Sequence, residues 1–383
     1  MRAFDHVPRT RLVFGAGSIT RLGELTAAAA PGARHAFLVT DPGLVRAGHA
    51  ARAEASLAGA GLAVRTFAEV RENPTTTDVG ACLAALDGFA ADVLVGLGGG
   101  SSIDVAKACA FLHAGGGRME DYWGVGKARG TLLPLVAVPT TAGTGSEMQS
   151  FTLIEQADTL QKMACGDPQA APRVAVLDPE LTLSQPRAVT AHAGLDAIGH
   201  AVETAVTRAG TPLSQAYSGQ AFQLAQSHLP RVLEAPDDLE ARGRMLLAAA
   251  FAGTAIENSM LGAAHSLANP LTARCGLVHG LAVGLMLPHV VRFNAKDPAA
   301  AARYANLSRA AGLDPSAEAL ARRLEELLDV AAVPRALPTH GVEPGALDAL
   351  ATEAAQQWTA QFNPRTVDQA ALRGLLEEAC GGA

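Results

Sequence analysis

The run Asp92-Val-Leu-Val-Gly-Leu97 leads directly into Gly98-Gly-Gly-Ser-Ser102 and then into Ile103-Asp-Val-Ala-Lys-Ala108. A short β-branched stretch, a turn of consecutive glycines and an alanine-rich stretch predict a buried strand, a tight turn and a helix that folds back over the strand. Glycines let the backbone approach a ligand closely, and the start of the next helix offers unpaired N–H groups and a positive dipole end, so the turn suits a phosphate group. Such turns also serve as plain connections. The GxGxxG dinucleotide fingerprint is absent here and from the first βα turn, around Thr40-Asp-Pro-Gly43.

The same alternation fills the first half of the chain. Strands are predicted at 11–15, 36–41, 63–67, 93–97, 135–138 and 174–177, and helices at 19–29, 44–60, 78–89 and 102–113, the pattern of βαβ units around a parallel sheet. From Arg187 onward β-branched runs are few, and helices are predicted at 188–207, 212–229, 239–266, 278–295, 298–311, 317–328, 344–360 and 367–379. The expected organisation is therefore an α/β Rossmann-like parallel-sheet domain over 1–186, followed by an all-α domain over 187–383.

With 49% hydrophobic and 17% charged residues, the chain has the composition of a packed globular protein. A net charge of -7 gives no electrostatic footprint for nucleic acid or an anionic membrane. Five cysteines without a CxxC pair suggest neither a disulfide framework nor a zinc ribbon and fit a reducing cytoplasm. The amino-terminal residues lack the apolar core of a signal peptide, and the most apolar run, 246–256, is too short to span a bilayer.

Chemistry concentrates between Leu195 and Gly280. Asp196 and His200 lie at i and i+4 of a predicted helix and so project from one face. His265 and His279 follow in apolar surroundings. One carboxylate and three imidazoles form a donor set that suits a divalent first-row metal, although each histidine alone also reads as a hydrogen-bonded core residue. A second polar loop, Val138-Pro-Thr-Thr-Ala-Gly-Thr-Gly-Ser-Glu147, follows another predicted strand; its hydroxyls and amides suit a ribose or diphosphate, or the cap of the next helix.

The segments Gly194–Glu203, His265–Leu271 and Val278–Val283, with Gly98–Lys107 and Pro139–Glu147, closely resemble the motifs of the iron-containing (group III) alcohol dehydrogenase family, and the resemblance covers essentially the whole chain. It implies the architecture shared with dehydroquinate synthase, with the reactive centre in the cleft between the domains. It implies that Asp196, His200, His265 and His279 hold Fe2+, with Zn2+ chemically plausible, and that NAD contacts Gly98, Gly99, Gly100, Ser101, Asp104, Thr140, Thr141 and Thr144, with Lys162 and Leu181 as further contacts. Asp41, at the end of a predicted strand, is placed to accept from a ribose 2′-hydroxyl and to repel a 2′-phosphate, which favours NAD over NADP; Asp before Pro-Gly is also an ordinary turn or cap residue.

The reaction implied is hydride transfer between a small alcohol, or an aldehyde or ketone, and nicotinamide in a cytoplasmic homodimer or larger homo-oligomer. Many family members have a second histidine where this chain has Asn269, one turn beyond His265, so the group that relays the alcohol proton differs here. Asn269 is the candidate for that position. The competing readings are a hydroxyacid-oxoacid transhydrogenase, a dehydroquinate synthase-like lyase and a nucleotide-binding protein without activity. The lyase is disfavoured because the metal-site segments contain only Arg274 to meet an acidic phosphorylated substrate.

Overall fold

The computed structural model describes residues 4–159 and 161–381. Nine strands are found among them: β1 (Arg11–Phe14), β2 (His35–Val39), β3 (Ala63–Phe67), β4 (Val93–Gly98), β5 (Gly124–Val125), β6 (Leu135–Pro139), β7 (Phe151–Glu155), β8 (Lys162–Gly166) and β9 (Val174–Leu177). The helices threaded between them are α1 (Leu22–Ala29), α2 (Pro42–Arg46), α3 (His49–Gly59), α4 (Thr76–Leu86) and α5 (Gly100–Gly115). Then follow α6 (Arg187–Val206), α7 (Pro212–Glu234), α8 (Leu239–Glu257), α9 (Ala263–Cys275) and α10 (His279–Asn294). The last are α11 (Pro298–Ala310), α12 (Ala317–Val330), α13 (Leu347–Gln356) and α14 (Gln369–Ala379).

Six strands form one sheet in the order β1-β9-β6-β4-β2-β3, every neighbouring pair parallel. Both faces are covered, which is why the inner strands β9, β6, β4 and β2 read as apolar runs with no polar alternation, while the outer strands β1 and β3 keep exposed positions. On β4, Leu94 packs with Val79 and Cys82 of α4 and with Ile103 of α5. Val93, Val95 and Leu97 pack on the opposite face with Leu22 and Leu25 of α1 and with Ala53 and Leu57 of α3.

By its internal contacts the chain divides into two compact units. One comprises Val7–Thr141 and Ser146–Ser184. The other gathers Gln185 onward with Ala142–Gly145 and the N-terminal residues up to His6. In the second unit the helices pack around one apolar core that takes in Leu195, Phe222, Leu229, Leu267, Val283 and Leu324. No helix among the described residues is long and apolar enough to cross a membrane.

Three expectations are corrected. The helix predicted at 44–60 is split, because Gly48 adopts φ +78° and α3 begins afresh after it. The sheet unit carries, in addition to the expected parallel sheet, a three-stranded sheet β5-β8-β7 that contains the antiparallel pair β7 and β8. The helix predicted at 239–266 ends at Glu257, and a new one, α9, begins at Ala263. His265 therefore lies in the first turn of a helix, where backbone N–H groups need outside acceptors.

Candidate metal centre

Helix α6 is buried almost continuously from Gly194 to Val206, so the polar side chains it carries there must find partners inside the protein. Asp196 and His200 project together as their spacing predicts, with Asp196 Oδ1 3.5 Å from His200 Nε2. The same carboxylate oxygen lies 3.5 Å from His265 Nε2 of α9 and 3.9 Å from His279 Nε2, at the first residue of α10. Ligand atoms of Asp196, His265 and His279 all lie within 4.8 Å of one another. The His200 and His265 rings stack at 4.7 Å between centroids, inclined by 17°.

Asp196, His265 and His279 form the group compact enough to share an ion, with His200 joined to it through Asp196 Oδ1. Bonds of about 2.0–2.2 Å to one centre set neighbouring donors roughly 3–3.5 Å apart. Asp196 Oδ1 and His265 Nε2 are both buried and have no hydrogen-bond partner among the described residues. Leaving two such atoms unsatisfied costs about 1–3 kcal/mol each, more for a charged group, and a shared cation removes the cost.

The ring orientations are set from behind. His200 Nδ1 lies 3.3 Å from the Gly143 carbonyl, which only accepts, so the proton sits on Nδ1 and Nε2 keeps its lone pair toward Asp196. His265 Nδ1 lies 2.6 Å from Glu203 Oε2. Sequence reasoning singled out neither Gly143 nor Glu203 for this purpose. The i+7 spacing of Asp196 and Glu203 on a buried helix was the available signal.

Electrostatics follow the packing. Burial opposes a charge on Asp196, but His200, His265 and His279 hold its carboxyl far below the usual carboxylate range. Burial depresses His200, keeping it neutral. His265 is also disfavoured by burial as a cation, yet Glu203 and Asp196 raise it to about 9.

Close helix approach depends on glycine. A Cβ at Gly280 would stand 2.1 Å from the His192 carbonyl and 2.9 Å from Asp196 Cβ, so only glycine lets α10 start against α6 and aim His279 at Asp196. Gly145, at φ +62°, and Gly253 fit together equally tightly, each Cβ falling within 3 Å of the other's backbone. That contact holds the segment Ala142–Gly145, and with it the Gly143 carbonyl, against α8.

In the sheet unit, β4 ends at Gly98, whose φ of +150° suits glycine, and Gly99 precedes α5 as its cap residue. Gly99, Gly100 and Ser101 are half-buried at the start of that helix of 16 residues, the arrangement expected of a phosphate turn. Thr140 N donates to the Gly98 carbonyl at 2.9 Å, and a Cβ at Gly99 would lie 3.3 Å from Thr141 Cγ2. Those four sequence-predicted positions are brought together; Thr144 falls in the segment that belongs with the helical unit.

The other predicted cofactor positions are placed differently. Asp104 is buried, its Oδ1 accepting from Ser146 Oγ at 2.5 Å and its Oδ2 from Leu153 N at 3.1 Å, so it braces β7 and presents no free carboxylate. Lys162 on β8 lies 3.7 Å from Glu155. Leu181 is fully buried in the sheet core, which leaves no surface of it for a ligand. Asp41 caps α2 through Oδ1, accepting from Gly43 N at 2.8 Å and Leu44 N at 3.1 Å. Asn269 sits half-buried one turn beyond His265 and donates its amide to Gln357 Oε1 at 2.9 Å.

Two family models match the chain: iron-containing alcohol dehydrogenase over residues 8–179, and the C-terminal part of the Fe-containing alcohol dehydrogenase family over residues 190–380. The chain is 33% identical to an NAD-dependent methanol dehydrogenase of Bacillus methanolicus, over 96% of this chain and 97% of that protein. A crystal structure of 1,3-propanediol oxidoreductase superposes with a TM-score of 0.93 at 30% identity, covering 99% of this chain and 100% of the other. The sulfoacetaldehyde reductase of Bifidobacterium kashiwanohense in complex with NAD+ gives 0.91 at 27% identity, covering 100% of each.

Proposed function

The chain belongs to the iron-containing alcohol dehydrogenase family, and on that premise we propose that it moves a hydride between NAD and a small alcohol, or the matching aldehyde, bound at the Asp196 cluster. The observation that carries this reading is the convergence of three imidazoles on one oxygen of a buried carboxylate. That donor set, Asp196, His200, His265 and His279, accepts iron(II) or zinc, with one or two positions left over for a substrate oxygen. Bound there, the ion supplies Lewis acidity that lowers the pKa of a coordinated hydroxyl or polarises a carbonyl.

The chain's own groups do the remainder. Asp196 neutralises part of the ion's charge and enforces the common focus of the three rings. The amides that begin α5, with the Gly98–Ser101 turn, receive the diphosphate of NAD, and Asp41, whose Oδ2 takes no part in the helix cap, receives the adenosine ribose. Asn269, already bonded to Gln357, does not titrate near neutrality, so the alcohol proton leaves through water or the cofactor ribose.

The relatives act on methanol and 1,3-propanediol by name, and a small aliphatic alcohol or diol is the substrate class we assign. Free, mostly buried cysteines suit a reducing cytoplasm. Strand β1 is an outer strand of the six-stranded sheet, with its last residue Phe14 exposed and Val7 exposed ahead of it; such an edge favours pairing with a second copy of the chain, and we assign a homodimer or larger assembly.

A panel of alcohols and aldehydes assayed with NAD(H) and NADP(H), on ion-free protein reloaded separately with iron(II), zinc or manganese, tests the proposal. Metal-dependent formation of NADH from a small alcohol is expected. Turnover that is indifferent to the ion would overturn the assignment.

A further inference from the structure

Glu203 stands one turn beyond His200 on α6 and is 3% exposed. Everything it binds belongs to one short segment. Its Oε2 accepts from Gly262 N at 3.1 Å and lies 2.6 Å from His265 Nδ1, and its Oε1 accepts from Ala264 N at 2.6 Å. The first two contacts meet on a single oxygen, so the carboxylate holds the imidazole and the backbone that carries it as one body.

Carboxylate oxygens accept and do not donate, so the shared proton is on His265 Nδ1 and the lone pair of the ring is on Nε2. The Nε2 atom is the one found 3.5 Å from Asp196 Oδ1. The backbone contacts explain why α9 begins at Ala263. The first N–H groups of a helix have no partners inside it, and here the caps come from a distant helix and from Asn363, whose Oδ1 accepts from Ala263 N at 3.3 Å. Asn363 holds the same segment without touching His265.

We infer that Glu203 is a positioning residue for the metal centre: it fixes His265 as the Nδ1–H tautomer with Nε2 aimed at the ion, while anchoring the first turn of α9 that carries the ring. The inference rests on the reading that Asp196, His200, His265 and His279 hold one ion. A glutamine at 203 keeps the shape but offers one acceptor in place of two and turns an N–H group toward either His265 or the backbone. Outer partners of metal-bound histidines are worth about 10–100-fold in metal affinity.

The test measures zinc binding, by competition with a chromophoric chelator, for wild type, Glu203→Gln, Asn363→Ala and Asp196→Ala. Glu203→Gln is expected to bind zinc about 10–100-fold more weakly, and Asn363→Ala within about threefold of wild type, because only the former touches the ring. Equal losses in the two variants would reduce Glu203 to a helix cap and overturn the inference. In the zinc-loaded wild type, a downfield, slowly exchanging Nδ1–H proton assigned to His265 is expected by NMR; its absence overturns the inference whether or not Glu203→Gln folds. Should Asp196→Ala bind zinc as tightly as wild type, the site itself is misassigned and the inference falls with it.

Discussion

Glu147, at the end of the second polar loop, makes a quantitative case. It is 1% exposed, and its Oε1 has no hydrogen-bond partner among the described residues. Lys107, whose charge favours the ionised form, directs its ammonium to the Ser146 carbonyl, Ser146 Oγ and the Phe151 carbonyl. Burial therefore dominates, and it pushes the Glu147 carboxyl up to about 7 from an ordinary 4.5.

An acid whose pKa is raised by folding holds its proton more tightly in the folded state. Between about pH 4.5 and 7 the folded chain binds more protons at this position than the unfolded one, so its contribution to stability falls as pH rises and levels off above 7. A shift of roughly 2.5 units corresponds to about 3 kcal/mol. Glu147→Gln removes the titration while keeping the volume. Relative to wild type, the variant should gain about 3 kcal/mol between pH 4.5 and 8, roughly 6–12 °C in Tm for a unit of 150–250 residues. Scanning calorimetry of both proteins at the two pH values reads the difference, in which all other titrations cancel. A Tm gap between variant and wild type that does not change with pH would show that Glu147 is not buried as a strained acid.

Other consequences are simpler to read. Gly280→Ala places a methyl 2.1 Å from the His192 carbonyl, so α10 must retreat from α6; bound metal, measured by plasma emission after dialysis, should fall at least tenfold, and an unchanged metal content would refute the packing argument. Asp41→Gly should move the ratio of kcat/KM for NAD over NADP toward NADP by at least tenfold, and no movement would reduce Asp41 to the α2 cap. Asn269→His should introduce a new ionisation into the pH profile of kcat, because it puts a titratable ring beside the site; an unaltered profile would show the position to be idle in proton transfer.

Much of this was legible in the residues themselves. The four inner parallel strands announced themselves because strands buried on both faces must be apolar throughout, and the i,i+4 pair Asp196 and His200 announced a shared helix face. What stayed hidden depends on partners remote in sequence. The break between α8 and α9 follows from caps supplied by Glu203 and Asn363, 59 residues before and 100 after the groups they meet. The hairpin of β7 and β8 is organised around Asp104, and that is why a residue expected to meet the cofactor proves to be internal. Leu181 packs into the sheet core: a motif position reveals neighbourhood, and burial decides what a side chain can touch.

The most direct test is a crystal of iron-loaded protein with anomalous data collected on either side of the iron absorption edge. A single peak bonded to one Asp196 carboxylate oxygen and to Nε2 of His200, His265 and His279, at about 2.0–2.3 Å, is the expected result. A peak held by other residues, or those four side chains arranged around no iron at all, would contradict the account.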